Sequence, residues 1–227
     1  MLEFHNVGAS YGGLVALTGI SLQFNDGERV AVFGHNGAGK TTLLRCAVGS
    51  QQTMTGEVRF RGERIVPGQV FRNVRRGIGF VPQGANVFRE LSVEQNLGIA
   101  GLLHDRRAVG EVYDLFPMLN ERRRQIASSL SGGQQQMLAL GMALMTNPSI
   151  LLLDEPTTGL APIIANNVLR GLQTINQTKG TAIVIVEQNV SATLKAVDRA
   201  VILKSGSVVF EGSAEQLSAE PNLWAWF

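Results

Sequence analysis

The sequence predicts an α/β fold: a mostly parallel β-sheet covered by helices on both faces, with an antiparallel β segment at the N-terminal end and a helical insertion. Three observations carry this. Short β-branched runs, "RVAVFG", "GIGFVPQ", "SILLLDE", "TAIVIVEQ" and "RAVILKSG", recur between segments of helical spacing, the pattern of buried parallel strands alternating with covering helices. The start, "LEFHNVGASYGG" and "ISLQFNDGERV", instead alternates polar and apolar residues around turns, as antiparallel strands do. From Gly84 to Ser129 the β-rich character lapses into "LSVEQNL", "DRRAVGEVYDLF" and "LNERRRQ", read as helices.

The elements follow in order. After the antiparallel start, "RVAVF" opens the parallel sheet, and "KTTLLRCAVG" has helical spacing up to a terminal glycine. "GIGFV" leads into the helical insertion. In "SGGQQQMLALGMALMTNP" Ser131 stands at an N-cap with Gln134 three residues on, and Pro148 marks the end. "ILLLD" and "AIVIVE" extend the sheet, "ILKSGSVVFEG" reads as a hairpin turning at Ser205 and Gly206, and "NLWAWF" as a helix packing its aromatics. No repeat or low-complexity linker divides the chain. Residues 1–227 are therefore expected to form one domain, with a core of 1–83 and 130–227 and a helical subdomain of about 84–129.

Composition narrows the class. Of 227 residues, 44% are hydrophobic and 17% charged, which excludes disordered and fibrous chains. The net charge is only +2, and the arginines fall in short clusters (Arg72, Arg75, Arg76; Arg106, Arg107; Arg122 to Arg124), read as solvated faces. The single cysteine, Cys46, excludes an intrachain disulfide or zinc framework. His5, His35 and His104 lack metal-ligand spacing. No window approaches the ~20 apolar residues of a membrane span, and the start lacks the features of a signal peptide, so a cytoplasmic location is expected.

Chemistry enters at Gly34 to Thr41, which matches G-x-x-x-x-G-K-[ST] between a strand-like and a helix-like run. In such a loop (Gly34, His35, Asn36, Gly37, Ala38, Gly39, then Lys40, Thr41 and Thr42) glycines let successive N–H groups face phosphate oxygens. The helix N-terminus adds ~+0.5 of partial charge. Lys40 is expected to reach the outer phosphates and Thr41 to ligate Mg²⁺. The ligand read from these residues is a nucleoside triphosphate. Asp154, ending the buried run "ILLLD", is positioned to hold the Mg²⁺ shell, and Glu155 to polarise the attacking water.

A P-loop serves many unrelated machines. The deciding stretch is Leu130 to Gln134, "LSGGQ", where two glycines open a helix at a cost of ~1 kcal/mol each relative to alanine. That cost makes sense where exposed N–H groups meet a second anion.

Together "LSGGQ", "GHNGAGKT" and "LLLDEP" make the chain resemble, over essentially its whole length, the nucleotide-binding subunit of ABC transporters, a P-loop NTPase with a RecA-like core. The resemblance implies two such domains paired head to tail, so that Ser131, Gly132, Gly133 and Gln134 contact ATP held by the partner's P-loop. It implies that Tyr11 stacks on adenine, that Gln83 senses Mg²⁺ and γ-phosphate as a further ligand, and that the helical segment, with "ANVFRELSV", docks a permease. Gln188 stands where most members carry a histidine facing the γ-phosphate, and Ala161 where many have an aspartate. An amide donates but carries no proton near neutrality, so Glu155 is expected to act alone as base. "GLAP", "VEQN" and "QQMLALG" resemble the importer branch for branched-chain amino acids and its relatives for urea or short amides, although Met142 stands where that branch usually has arginine. That branch implies permease subunits, a second ATPase subunit, identical or related, and a periplasmic solute-binding protein, on the cytoplasmic face of the inner membrane and without nucleic acid. A non-transport ABC ATPase and a nucleotide-gated binding module are the competing classes.

Overall fold

The computed structural model describes residues 1–84, 86–102, 108–220 and 226. In chain order the elements are β1 (Leu2–Tyr11), β2 (Leu14–Phe24), β3 (Arg29–Phe33), α1 (Lys40–Val48), β4 (Met54–Phe60), β5 (Glu63–Arg64), α2 (Val70–Arg75) and β6 (Ile78–Val81). Then come α3 (Val93–Ala100), α4 (Ala108–Leu115), α5 (Pro117–Glu121), α6 (Gly132–Leu144), β7 (Ile150–Asp154) and α7 (Pro162–Lys179). The last are β8 (Ala182–Glu187), α8 (Val190–Leu194), β9 (Arg199–Lys204), β10 (Ser207–Ser213) and α9 (Ala214–Ser218).

All five expected runs are strands of one sheet, in the order β10-β9-β3-β8-β7-β6. Every pairing among them is parallel except β9 with β10, the hairpin expected at Ser205 and Gly206. Both turn residues have positive φ, 49° and 78°, as a tight hairpin turn requires.

The sheet separates two cores, because alternate residues of each strand face opposite sides. Leu151, Leu153, Ile183 and Ile185 pack with α3, α6 and α7 residues such as Leu97, Leu140 and Leu172. Ile150, Leu152, Val184 and Val186 pack with α1 and the N-terminal strands, against Leu43, Leu44, Phe4 and Phe60. By this alternation Asp154 falls on the α1 side and Glu187 on the α6–α7 side. Cys46 is buried in the second core, and burial pushes its thiol up to about 12. It is a packing residue.

The N-terminal sheet runs β2-β1-β4-β5; it differs from the expectation at the start of β2 and adds β4. β2 begins at Leu14, six residues before "ISLQF" begins; its mostly exposed and largely apolar first half lacks the polar–apolar alternation of a half-buried strand. β4, which pairs antiparallel with β1, reads poorly because Gly56 interrupts it. A Cβ there would lie 2.3 Å from the Asn6 carbonyl oxygen, so Gly56 is the cost of a bulged pairing.

The segment after β6 is helical, as expected, with one difference. α5 stops at Glu121 rather than continuing through "RRRQ". The carbonyls of Arg123 and Gln125 turn away to accept the first N–H groups of α3, from Glu94 at 2.9 Å and Val93 at 3.0 Å, satisfying a helix start that would otherwise be orphaned. Arg106, Arg107, His104 and most of "NLWAWF" lie outside the described residues. Trp226 packs edge-on against Phe210, centroids 5.6 Å apart. Among the described residues no helix is long and apolar enough to cross a membrane.

Candidate nucleotide site

The site lies where β3, β7 and β8 end side by side. Phe33 pairs with Glu187, and Asp154 with Val186, so the loops leaving three adjacent parallel strands open on one edge, the usual location of ligand crevices in such sheets. The loop from Gly34 wraps into α1 at Lys40. Gly39 has φ 104°, and a Cβ there would meet the Ala16 carbonyl oxygen at 2.6 Å. The bare backbone at this position is thus a steric requirement of the loop.

Lys40 is 5% exposed. Its ammonium donates to the carbonyls of Gly34 at 2.8 Å and His35 at 3.2 Å and lies 3.6 Å from the Glu155 carboxylate. Thr41 donates its hydroxyl to Asp154 Oδ1 at 3.1 Å. Burial is the main cause of a raised Asp154 pKa, with the Thr41 hydrogen bond acting against it and the neighbouring Glu155 charge adding to it.

Glu155 is the centre of the cluster. Its Oε1 accepts from Gln188 Nε2 at 2.6 Å, and its Oε2 from Gln83 Nε2 at 2.8 Å and Thr158 Oγ1 at 3.2 Å. Its backbone is left-handed, φ 49°, a conformation costing a non-glycine residue of order 1–3 kcal/mol. The Glu155 N–H still donates to the Val186 carbonyl at 2.9 Å, which holds that turn against β8.

A cleft of about 380 Å³ runs from Tyr11 and Leu14 past Asn36 and Gly37, then Lys40, Thr41 and Thr42, to Gln83 and Glu155. The sequence-predicted residues of the P-loop, Gln83 and Glu155 are therefore brought together. The Tyr11 hydroxyl sits 3.4 Å from Thr42 Oγ1 and accepts from Arg45 at 3.3 Å. His35 and Ala38 belong to the same loop, Ala38 N–H bonding the His35 carbonyl at 3.1 Å.

Ser131, Gly132, Gly133 and Gln134 do not line that cleft. They open α6 with a capping box: Ser131 Oγ accepts from Gln134 N at 3.4 Å, and Gln134 Oε1 from Ser131 N at 2.9 Å. The same box caps α3 at Ser92 and α9 at Ser213, so the cap alone says nothing of function. Gly133 is required by packing, since a Cβ there would meet Ile164 Cγ2 of α7 at 2.2 Å, whereas a Cβ on Gly132 would meet nothing within 4 Å.

Two residues of this neighbourhood escaped the sequence reading. Glu187 is 1% exposed and binds Thr157, and Arg45 reaches Tyr11. The signal for Glu187 was available, since it is an acidic residue ending an apolar run, like Asp154.

The arrangement fits a magnesium nucleotide. Thr41, Asp154 and Gln83 offer hard oxygen donors, as Mg²⁺ prefers. Among the described residues no group of three His, Cys, Asp or Glu side chains could hold a metal by itself.

A profile of the family described as ABC transporter matches residues 17–158. The chain is 40% identical, over 98% of its length and 97% of the relative's, to the high-affinity branched-chain amino acid transport ATP-binding protein BraG of Pseudomonas aeruginosa. It is 35% identical, over 96% of its length and 94% of the relative's, to the probable branched-chain amino acid transport ATP-binding protein LivF of Archaeoglobus fulgidus. Its fold matches the dimeric ATP-binding cassette MJ0796, solved in a post-hydrolysis state with ADP and phosphate, with a TM-score of 0.84 and 26% identity over 94% of this chain and 99% of that one. With the P-loop, the acidic strand end and the "LSGGQ" helix all in place on that fold, the chain belongs to the ABC transporter family as an ATP-binding, ATP-hydrolysing subunit.

Proposed function

We propose that this chain is the ATPase subunit of an importer for branched-chain amino acids. The observation that carries the reading is the Glu155 carboxylate held between Lys40, Gln83 and Gln188 with Thr41 and Asp154 alongside. The named substrates of the two relatives above support the cargo.

In this reading the N–H groups from Gly34 through Thr42 cradle the phosphates, and Lys40 leaves its loop carbonyls to pair with the outer ones. Tyr11 packs on the adenine. Thr41, Asp154 and Gln83 would hold Mg²⁺, which would neutralise charge developing on the phosphates. Glu155 orients the attacking water and takes its proton, and Gln188 turns its amide donor from Glu155 to the γ-phosphate. Release of Glu155 from its two glutamines is then what nucleotide entry accomplishes.

Ser131, Gly132, Gly133 and Gln134, absent from the chain's own cleft, complete the site of a second ATPase subunit. The dimeric state of MJ0796 supports that pairing. The chain acts as one nucleotide-binding domain, core 1–83 and 130–227, whose helical part, about 84–129, meets a permease. A groove of about 680 Å³ lined by Leu91, Gly98, Ile99, Leu102 and Tyr113 supports this docking. The assembly works at the cytoplasmic face of the inner membrane, served by a periplasmic solute-binding protein.

The test is uptake of labelled leucine and labelled urea in cells lacking only this chain, complemented with the native gene or with Glu155→Gln. Loss of leucine uptake, restored by the native gene alone, is expected. Loss of urea uptake instead reassigns the cargo, and loss of neither overturns the import reading.

A further inference from the structure

Glu187 closes β8 with its side chain 1% exposed. A buried carboxylate is costly unless its oxygens are hydrogen-bonded, and among the described residues no lysine or arginine pairs with it. Its partners are donors of the site's own loops. Oε1 accepts from Thr157 N at 2.8 Å and Thr157 Oγ1 at 2.6 Å, and Oε2 accepts from Gln188 N at 3.1 Å. Gln188 and Thr158 in turn donate to the two oxygens of Glu155. The bonds close a ring through Glu155, Gln188, Glu187 and the Thr157–Thr158 turn.

We infer that Glu187 is a positioning residue for ATP hydrolysis, tying Gln188 and the loop after β7 into one unit around Glu155. The inference rests on the hydrolysis reading above. The charge has a specific use, because both oxygens must accept. A glutamine of the same shape presents an NH₂ either to Thr157 N–H or to Gln188 N–H, so a donor meets a donor on one side whichever way the amide turns. One of the two loops is then displaced, and small displacements near reacting groups cost rate steeply.

The experiment measures steady-state phosphate release with Mg²⁺ and ATP by the assembled complex, this chain with its ATPase partner and permease, alongside the melting temperature of the chain. Glu187→Gln is expected to lower kcat by roughly ten- to a hundred-fold with KM for ATP changed by no more than about twofold, the mark of an interaction used in the transition state. Thr157→Val removes the hydroxyl half of the same link and is expected to act in the same direction. The double variant is expected to be little worse than either single one, whereas two independent structural lesions multiply. If Glu187→Gln fails to fold, Thr157→Val carries the test alone. Unchanged kcat in the folded variants, or a fall in melting temperature without a change in kcat, overturns the inference. Glu155→Gln separates it from the reading beneath: if that variant still turns over, hydrolysis by Glu155 fails first. If it is dead while Glu187→Gln runs at the native rate, only the role of Glu187 is lost.

Discussion

The side-chain amide of Gln188 donates to Oε1 of Glu155 at 2.6 Å, so the base and the γ-phosphate donor of the proposed mechanism are bonded to each other. Neither is a histidine.

An amide does not titrate near neutrality. The kcat–pH profile is therefore expected to lack a limb near ~6.5, the ordinary histidine value. Glu155→Gln is expected to lose ~10²–10⁴-fold in kcat while still binding ATP. A limb near ~6.5 that survives Gln188→Ala would sink the assignment of Glu155 as sole base.

Lys40 is the buried cation of the cleft. Charge-assisted hydrogen bonds of this type contribute about 1.5–3 kcal/mol, so Lys40→Ala is expected to weaken ATP binding by roughly ten- to a hundred-fold. Titration of the full chain with a fluorescent ATP analogue checks this, and native affinity in the variant would remove Lys40 from the site.

Gly133 has no room for a methyl group, because Ile164 Cγ2 lies 2.2 Å from where its Cβ would be. Gly133→Ala is expected to destabilise the fold by about 1–3 kcal/mol through overpacking. Ile164→Ala opens that space, so the double variant is expected to recover much of the loss. Urea unfolding of the three variants reads the coupling; additive losses would mean that Ile164 is not the constraint.

Asp198 accepts from the Arg29 guanidinium and from Arg29 N at 3.1 Å. These bonds, the side-chain one foremost, hold its carboxyl below the usual range although burial acts the other way. A carboxylate whose folded-state pKa is depressed adds stability that is fully present above its unfolded value, near ~3.9, and is lost as pH falls through the lower folded value. Solvent screening of the half-exposed Asp198 limits the pair to about 0.5–1 kcal/mol. Asp198→Asn is expected to be less stable by that amount at pH 6, with the gap closing below about pH 4. A gap that persists at pH 3 would assign the loss to packing.

The five parallel strands were legible because they are buried on both faces, and burial on both faces leaves near-continuous apolar runs. β4 was not, because Gly56 and the bulge opposite Asn6 break its alternation. The end of α5 was hidden for another reason: the carbonyls of Arg123 and Gln125 accept from Glu94 and Val93 at the start of α3, distant in sequence but adjacent in space.

By itself the sequence determined the chemistry on offer: a glycine-rich loop ending in Lys40 and Thr41, an acidic pair ending an apolar strand, and "LSGGQ" opening a helix. These are local patterns, and local backbone geometry makes them readable. Only the tertiary structure decided how they meet. It set Glu155 in a left-handed turn between two glutamines from distant loops, separated the "LSGGQ" residues from the chain's own cleft, and tied Glu187 to Thr157 across adjacent strands. The physical reason is that strand order, β3-β8-β7, brings the end of β3 beside the ends of β8 and β7, more than a hundred residues further along the chain, and that order is fixed by long-range packing of the two cores rather than by any local signal.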